Sequence, residues 1–164
     1  MNSMKAEAVP GAVRIAVLSD SHGSLPRSVF PHLQGCSCIL HAGDIVRESD
    51  LDELALYGSL YAVRGNCDRW VPRLQDLAGV LRFMIGGVSF CMTHDPMDVP
   101  RDLGGVDVFV YGHTHQYRAE TEDGVLWLNP GSCGRPRYGG EPTMAVLAVK
   151  DGKILTVTRI GLRD

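Results

Sequence analysis

The sequence has no apolar segment of membrane-spanning length, and Met1 to Pro10 holds one Lys and no run of the kind a secretory signal needs. Both absences point to a soluble chain that stays in the cytoplasm. Charge of one sign is also lacking. The 16 Lys+Arg and 19 Asp+Glu leave a formal charge of −3, with no extended basic face for nucleic acid and none for an anionic membrane. The five cysteines lack the two-residue gap of zinc knuckles and redox pairs. Cys36-Ser-Cys38 is separated by one residue, and the odd total argues for reduced thiols. Cys91, inside the apolar run Val88 to Met92, reads as a small buried hydrophobe, and Cys133 as an exposed, oxidisable thiol. There is no internal repeat, low-complexity tract or linker. What remains is 164 residues, 45% of them hydrophobic, consistent with a flexible tail over 1–10 and a single domain over 11–164. A homo-oligomer is left open.

The chain does contain a series of short apolar segments that run into polar, glycine-bearing turns. Val106 to Tyr111 is β-branched and aromatic, as suits a buried strand. It ends in Gly112-His113-Thr114-His115, where extended backbone would send the two imidazoles to the same side. Val13 to Leu18 ends in Ser19-Asp20-Ser21-His22-Gly23, Cys36 to Leu40 in His41-Ala42-Gly43-Asp44, and Ser59 to Val63 in Arg64-Gly65-Asn66-Cys67-Asp68. Val80 to Ile85 and Val88 to Met92 form a predicted hairpin across Gly86-Gly87 that exits into Thr93-His94-Asp95-Pro96. Gln116 to Glu120 and Val125 to Leu128 flank the turn pair Asp123-Gly124, and the second of them ends in Asn129-Pro130-Gly131-Ser132. Met144 to Val149 pairs with Ile154 to Ile160 across Asp151-Gly152.

Helical segments are few. Pro26 suits the first position of a short helix that Pro31 must curtail. Ser49 reads as the cap of a second helix, with Asp50, Asp52 and Glu53 in its first turn, Gly58 at its close, and Leu51, Leu54 and Ala55 facing inward. About two turns are predicted over Pro72 to Ala78, and a short turn of helix over Asp98 to Leu103.

In open α/β sheets, ligands bind beyond the carboxyl ends of the strands, so the polar turns should converge there. Asp20, His22, Asp44, Asn66, His94, His113 and His115 are carboxylates, imidazoles and a carboxamide without a committed thiolate. That donor set suits Mn²⁺, Fe²⁺, Zn²⁺ or a related ion such as Ni²⁺. They exceed the needs of one ion. Two ions sharing a carboxylate, about 3.5–4 Å apart, clamp the attacking and leaving oxygens of phosphoryl transfer. Hydrolysis of a small phosphate ester is the chemistry expected.

In order and spacing, Asp20-x-His22, Gly43-Asp44, Gly65-Asn66-Cys67-Asp68, His94 and Gly112-His113-x-His115 resemble the blocks of calcineurin-like metallophosphoesterases. Asn129-Pro130-Gly131-Ser132 extends the likeness to the small single-domain YfcE-like phosphodiesterases, over about Val13 to Arg137. The resemblance implies an α/β fold, a four-layer α-β-β-α sandwich with two mixed β-sheets. It implies two divalent ions, Mn²⁺ favoured. Asp20, His22 and His115 would hold the first, Asn66, His94 and His113 the second, and Asp44 would bridge them around a nucleophilic water. Many phosphatases of this family carry a His that assists the leaving oxygen where this sequence has Cys67. A neutral thiol, of ordinary pKa about 8.5, is a weaker substitute. The small phosphodiesterase branch shares the Cys, which implies diester substrates. Asp95 replaces the usual Gly and is read as capping the turn at Pro96.

Of the remaining candidates, Asp68 is expected to orient Asn66 or a metal-ligand His. Arg135 and Arg137 are positioned to hold a phosphate oxygen. Trp70 is read as a buried anchor in preference to a stacking platform. The same fold also serves retromer-type scaffolds whose metal sites have decayed. The sequence contains no cap domain to exclude a phosphomonoesterase or a dinucleotide polyphosphate hydrolase.

Overall fold

A computed structural model of the chain describes residues 9–137 and 139–163. Most of the expected N-terminal tail lies outside them, while Val9 and Pro10 are exposed. Among the described residues ten strands follow one another: β1 (Val13–Leu18), β2 (Cys38–His41), β3 (Ser59–Ala62), β4 (Val80–Ile85), β5 (Val88–Thr93), β6 (Val108–Val110), β7 (Arg118–Glu122), β8 (Val125–Asn129), β9 (Thr143–Lys150) and β10 (Lys153–Gly161). They form two five-stranded sheets, ordered β10-β9-β1-β2-β3 and β4-β5-β6-β8-β7. β1, β2 and β3 run parallel in the first, and β5, β6 and β8 in the second, with antiparallel strands outside each trio. Both sheets are therefore mixed.

The sheets face each other across one core. Ile15, Val17 and Leu40 meet Phe90, Met92, Val108, Val110 and Leu128 there. The alternate residues Ala16, Leu18 and Ile39 point the other way, beneath Val29, Leu33 and Leu54. Burial on both faces explains why these strands are continuously apolar. Leu33 belongs to α1 (Phe30–Leu33) and Leu54 to α2 (Glu48–Ala55). The outer face of the second sheet carries Phe109 and, beside it on β8, Trp127, with Tyr111 just past β6; Val99 and Leu103 pack against them. The expected sandwich of two mixed sheets is thus present, with thin outer layers.

The strands match the sequence reading to within a residue or two, and the helices less well. α2 starts at Glu48 with Arg47 before it, so Ser49 lies inside the helix and caps nothing; Asp50 is buried and Ala55 exposed. Over 72–78 there is only a 3₁₀ turn, Leu74–Asp76, because Arg73 sits at φ 66°, outside any right-handed helix. The turn expected over 98–103 lies earlier, at Pro96–Asp98, where the Asp95 side chain accepts from Met97 N. The Asp-Gly signals fare better: Asp123 and Gly124 both have positive φ, as do Asp151 and Gly152, matching tight hairpin turns.

Phe90 is fully buried and stacks on Phe83, their ring centroids 5.3 Å apart. Phe90→Ala should destabilise the fold by about 3–5 kcal/mol. Urea unfolding checks this: the midpoint should fall with little change in slope.

Candidate metal centre

The two parallel trios of strands deliver their C-terminal turns to one edge of the sandwich. The turns continue the ladder: Asp20 N donates to Gly43 O, His22 N to Asp44 O, and Gly112 N to His94 O. Asp20 (φ 54°), His22 (48°), Asp44 (58°), His113 (70°) and His115 (60°) all sit in left-handed backbone. This corrects one expectation. His113 and His115 are not an extended pair facing one way, because β6 stops at Val110 and the chain then coils tightly. The two imidazoles instead serve different neighbours.

His115 Nε2 lies 3.2 Å from Asp20 Oδ1 and 3.2 Å from His22 Nε2. His94 Nε2 lies 3.2 Å from Asp44 Oδ2 and 3.9 Å from Asp20 Oδ1, while His22 Nε2 is 3.6 Å from both carboxylates. Ligand atoms of Asp20, His22 and His115 lie within 4.8 Å of one another, as do those of Asp20, Asp44 and His94, and those of His22, Asp44 and Cys67. The His113 ring meets that of His94 edge-on with centroids 5.2 Å apart, and its Nε2 is 3.8 Å from Asp95 Oδ2. Asn66 is exposed. It lines a cleft with His94 and Asp95, its Nδ2 3.6 Å from Cys67 Sγ.

The donor atoms fit divalent cations. Asp20 Oδ1, His94 Nε2 and His115 Nδ1 are buried and have no hydrogen-bond partner. Asp20 spends Oδ2 on Ser19 Oγ and on His113 N, which leaves Oδ1 free to ligate. His94 donates through Nδ1 to Ala42 O at 2.7 Å, so Nε2, once it gives up its proton, presents a lone pair toward the carboxylates. Burial pushes the Asp20 carboxyl up, but His115, His22, His94 and Ser19 outweigh it and hold the group ionised far below the usual range. Asp44 is likewise lowered, His94 opposing the effect of burial.

Asp68 is where the sequence reading of this site fails. It does not orient Asn66 or a histidine. Its buried carboxylate accepts from Asp44 N, Ile45 N, Val46 N and Gly65 N at 2.8–3.0 Å, holding the turn that carries Asp44. Among these, Val46 is a β-branched residue at φ 69°, a costly conformation that the Asp68 bond sustains. Gly65 is dictated by the same crowding, since a Cβ there would run into the Asp44 carboxylate and backbone.

The sequence assigns no role to His41 or to Asn129. Gly43 N donates to His41 Nδ1, so Nε2 carries the proton and donates to Ser21 Oγ; burial holds this imidazole down to about 4, and therefore neutral. Asn129 bonds Gly112 O and Thr114 Oγ1 through Nδ2 and Gly131 N through Oδ1, tying the His113–His115 turn to the end of β8. The signal for His41 is its place at a strand end, and for Asn129 that place together with the Asn129-Pro130-Gly131-Ser132 motif. Two other expectations are overturned. Trp70 is 88% exposed, and Cys133 is fully buried, its thiol pushed up to about 12 by burial and by the Asp20 charge. Arg137 is exposed in a cleft that His115 also lines, and Arg135 is exposed on the same loop. Cys67 is a neutral thiol, raised to about 11 by its burial and by Asp44.

Two mixed sheets with carboxylates and imidazoles gathered at the strand ends define an α/β sandwich that carries a candidate metal centre. The family model for the calcineurin-like phosphoesterase superfamily domain matches residues 13–152, and the chain belongs to that family. The family implies divalent metal ions. A probable metallophosphoesterase from Methanothermobacter thermautotrophicus is 35% identical over 154 residues, covering 85% of this chain and 88% of that one. Phosphodiesterase YfcE of Escherichia coli (strain K12) is 29% identical over 180 residues, covering 93% and 94%. Vacuolar Protein Sorting 29 from Cryptosporidium parvum superposes with a TM-score of 0.73 at 19% identity over 93% of this chain and 99% of that one, a likeness of fold.

Two outcomes follow from this geometry. Asp68→Asn should cost about 2–4 kcal/mol in urea unfolding, because orphaned buried N–H groups cost about 1–3 kcal/mol each, and should weaken metal binding as well. A purely catalytic Asp68 would leave stability unchanged. The second outcome concerns protons. Despite burial, Asp44 and Asp20 raise His94 to about 8, and Asp20 raises His22. Both must lose a proton to ligate, so at pH 7 metal uptake should release protons. Apparent affinity should climb with pH and level off above about 8. Calorimetry in buffers of different ionisation enthalpy reads the proton count.

Proposed function

We propose that the chain is a cytoplasmic dinuclear metal-dependent phosphodiesterase that hydrolyses small phosphate diesters. The supporting observation is the juxtaposition of Asp20 Oδ1 and Asp44 Oδ2 with the Nε2 atoms of His22, His94 and His115, with Asp20 Oδ1 and His94 Nε2 buried and unpaired. In this reading Asp20, His22 and His115 hold one ion, and Asn66, His94 and His113 the other. Asp44 lies between the two sets, its Oδ2 near both His94 and His22. When bound, the ions supply positive charge that acidifies a water and neutralises the phosphoryl oxygens. Mn²⁺ best suits this mixture of carboxylate, carboxamide and imidazole.

The chain's own groups define the rest. Asn66 lines the cleft beside His94, where it can donate to a substrate oxygen. The neutral Cys67 thiol cannot supply the strong acid that a poor leaving group needs, which favours diesters over monoesters. Relatives named phosphodiesterase agree with that preference. A scaffold role is less well supported, because a partner-binding surface has no use for buried, unpaired ligand atoms.

Purified protein should bind two divalent ions per chain and hydrolyse bis(para-nitrophenyl) phosphate faster than para-nitrophenyl phosphate in Mn²⁺. His115→Ala should lose bound metal and roughly 100-fold or more in rate, since metal stabilisation of such a transition state is worth several kcal/mol. Loss of metal without loss of rate would end the proposal, and faster hydrolysis of the monoester would overturn its diester preference.

A further inference from the structure

Two clefts of unequal size and charge flank the metal-ligand cluster. His115, in the group with Asp20 and His22, lines a cleft of ≈ 450 Å³ together with Thr114, Tyr117, Arg137, Glu141 and Arg159. His94, in the group with Asp20 and Asp44, lines one of ≈ 130 Å³ with Arg64, Asn66, Arg69, Asp95 and Asp98. Each ligand group therefore has one member bordering a different cleft. The small cleft is balanced, with two guanidinium groups against two carboxylates. The large one has Arg137 and Arg159 against Glu141 alone, and Glu141 is also shared with Arg163 at 3.7 Å.

We infer that the large cleft is a binding site for one arm of the substrate, an arm carrying its own phosphate, which Arg159 and Arg137 recognise; the small cleft takes the lesser, uncharged arm. This rests on the phosphodiesterase reading of the metal centre. Arg159 is prepared for the task. Its Cζ sits 5.7 Å from the centroid of the half-buried Tyr117 ring, which fixes the fork in place, and its pairing with Glu141 is loose at 3.4 Å. An ion pair so accessible to solvent contributes little and yields readily to a phosphate, which the guanidinium binds through two parallel bonds. His115 provides continuity: its Nε2 faces Asp20, and the residue borders the cleft. A volume of ≈ 450 Å³ falls in the usual range for small-molecule sites and suits a nucleotide-sized arm. Arg159 comes from β10, at the opposite end of the chain from Asp20, so no local motif announced it.

The test compares two chromogenic diesters of thymidine, para-nitrophenyl esters of its 5′-phosphate with and without a further 3′-phosphate. The bisphosphate should show a KM about tenfold lower or more, as two charge-assisted bonds allow. Arg159→Ala and Arg137→Ala should each bring the KM ratio toward 1, with Arg159→Lys intermediate. A second measurement needs no turnover. Titration of thymidine 3′,5′-bisphosphate into metal-free protein should give binding that Arg159→Ala weakens about tenfold. Equal KM values for the two esters in the wild type, or an unchanged dissociation constant in Arg159→Ala, would overturn the inference. If the metal-loaded wild type hydrolyses neither ester nor bis(para-nitrophenyl) phosphate, the hydrolase reading fails, and the titration alone then decides the cleft.

Discussion

Two buried carboxylates, Asp20 and Asp44, lie at the seam between the sheets, and their charge must be compensated there. An ionised carboxylate removed from water is expensive unless paired, so everything around the pair supplies positive charge or donors. Three imidazoles approach their free oxygens, while backbone N–H groups of His113 and Cys67 and the Ser19 hydroxyl occupy the others. Hydrogen bonds account for only part of the compensation, because Asp20 Oδ1 stays unpaired. A divalent cation of the kind the family implies would complete it. On this view the metal-binding function follows from how the site meets its electrostatic requirement.

The second requirement is mechanical. Left-handed backbone at Asp20, His22, Asp44, Val46, His113 and His115 costs energy at each residue outside glycine, roughly 1–2 kcal/mol for an ordinary side chain and less for Asp and His. Such turns persist only where other contacts over-determine them. Asp68 does this for the Asp44 turn, Asn129 for the His113–His115 turn, and Ser132 Oγ, bonded to Asp20 O, for the first. These polar residues act on backbone, and their contribution is to hold the turns that place the ligands.

That division explains what could be read from the sequence. The strands were legible because Ile15 to Leu18, Phe90 to Met92 and Val108 to Val110 are buried on both faces and hence uniformly apolar. The ligand candidates were legible because Asp and His recur where those strands end. Asp68 reads as a support for Asn66 or a ligand His because it adjoins Asn66, yet three of its four partners are backbone groups at 44–46, more than twenty residues away, and backbone has no residue-specific signature. Pro72 to Ala78 has helical composition, but the conformation of Arg73 overrides that weak local preference. Trp70 misled because aromatic character suggests burial, and here no core lies within its reach.

The packing of the two sheets and the geometry of the site are mechanically one problem. Within each sheet the ladder continues past the formal strand ends, through Asp20 N to Gly43 O on one side and Gly112 N to His94 O on the other. Between the sheets, His94 Nδ1 reaches Ala42 O and His113 N reaches Asp20 Oδ2. Those two bonds tie β5 and β6 to β2 and β1 at the edge where the ligands sit. A shift of one sheet over the other would break both and draw His94 away from Asp44. Ligand spacing is therefore set by the apolar contacts of Val17 and Leu40 with Met92 and Val110. Interiors packed this closely resist continuous deformation, so the packing of the sheets limits how far the ligand turns can drift apart.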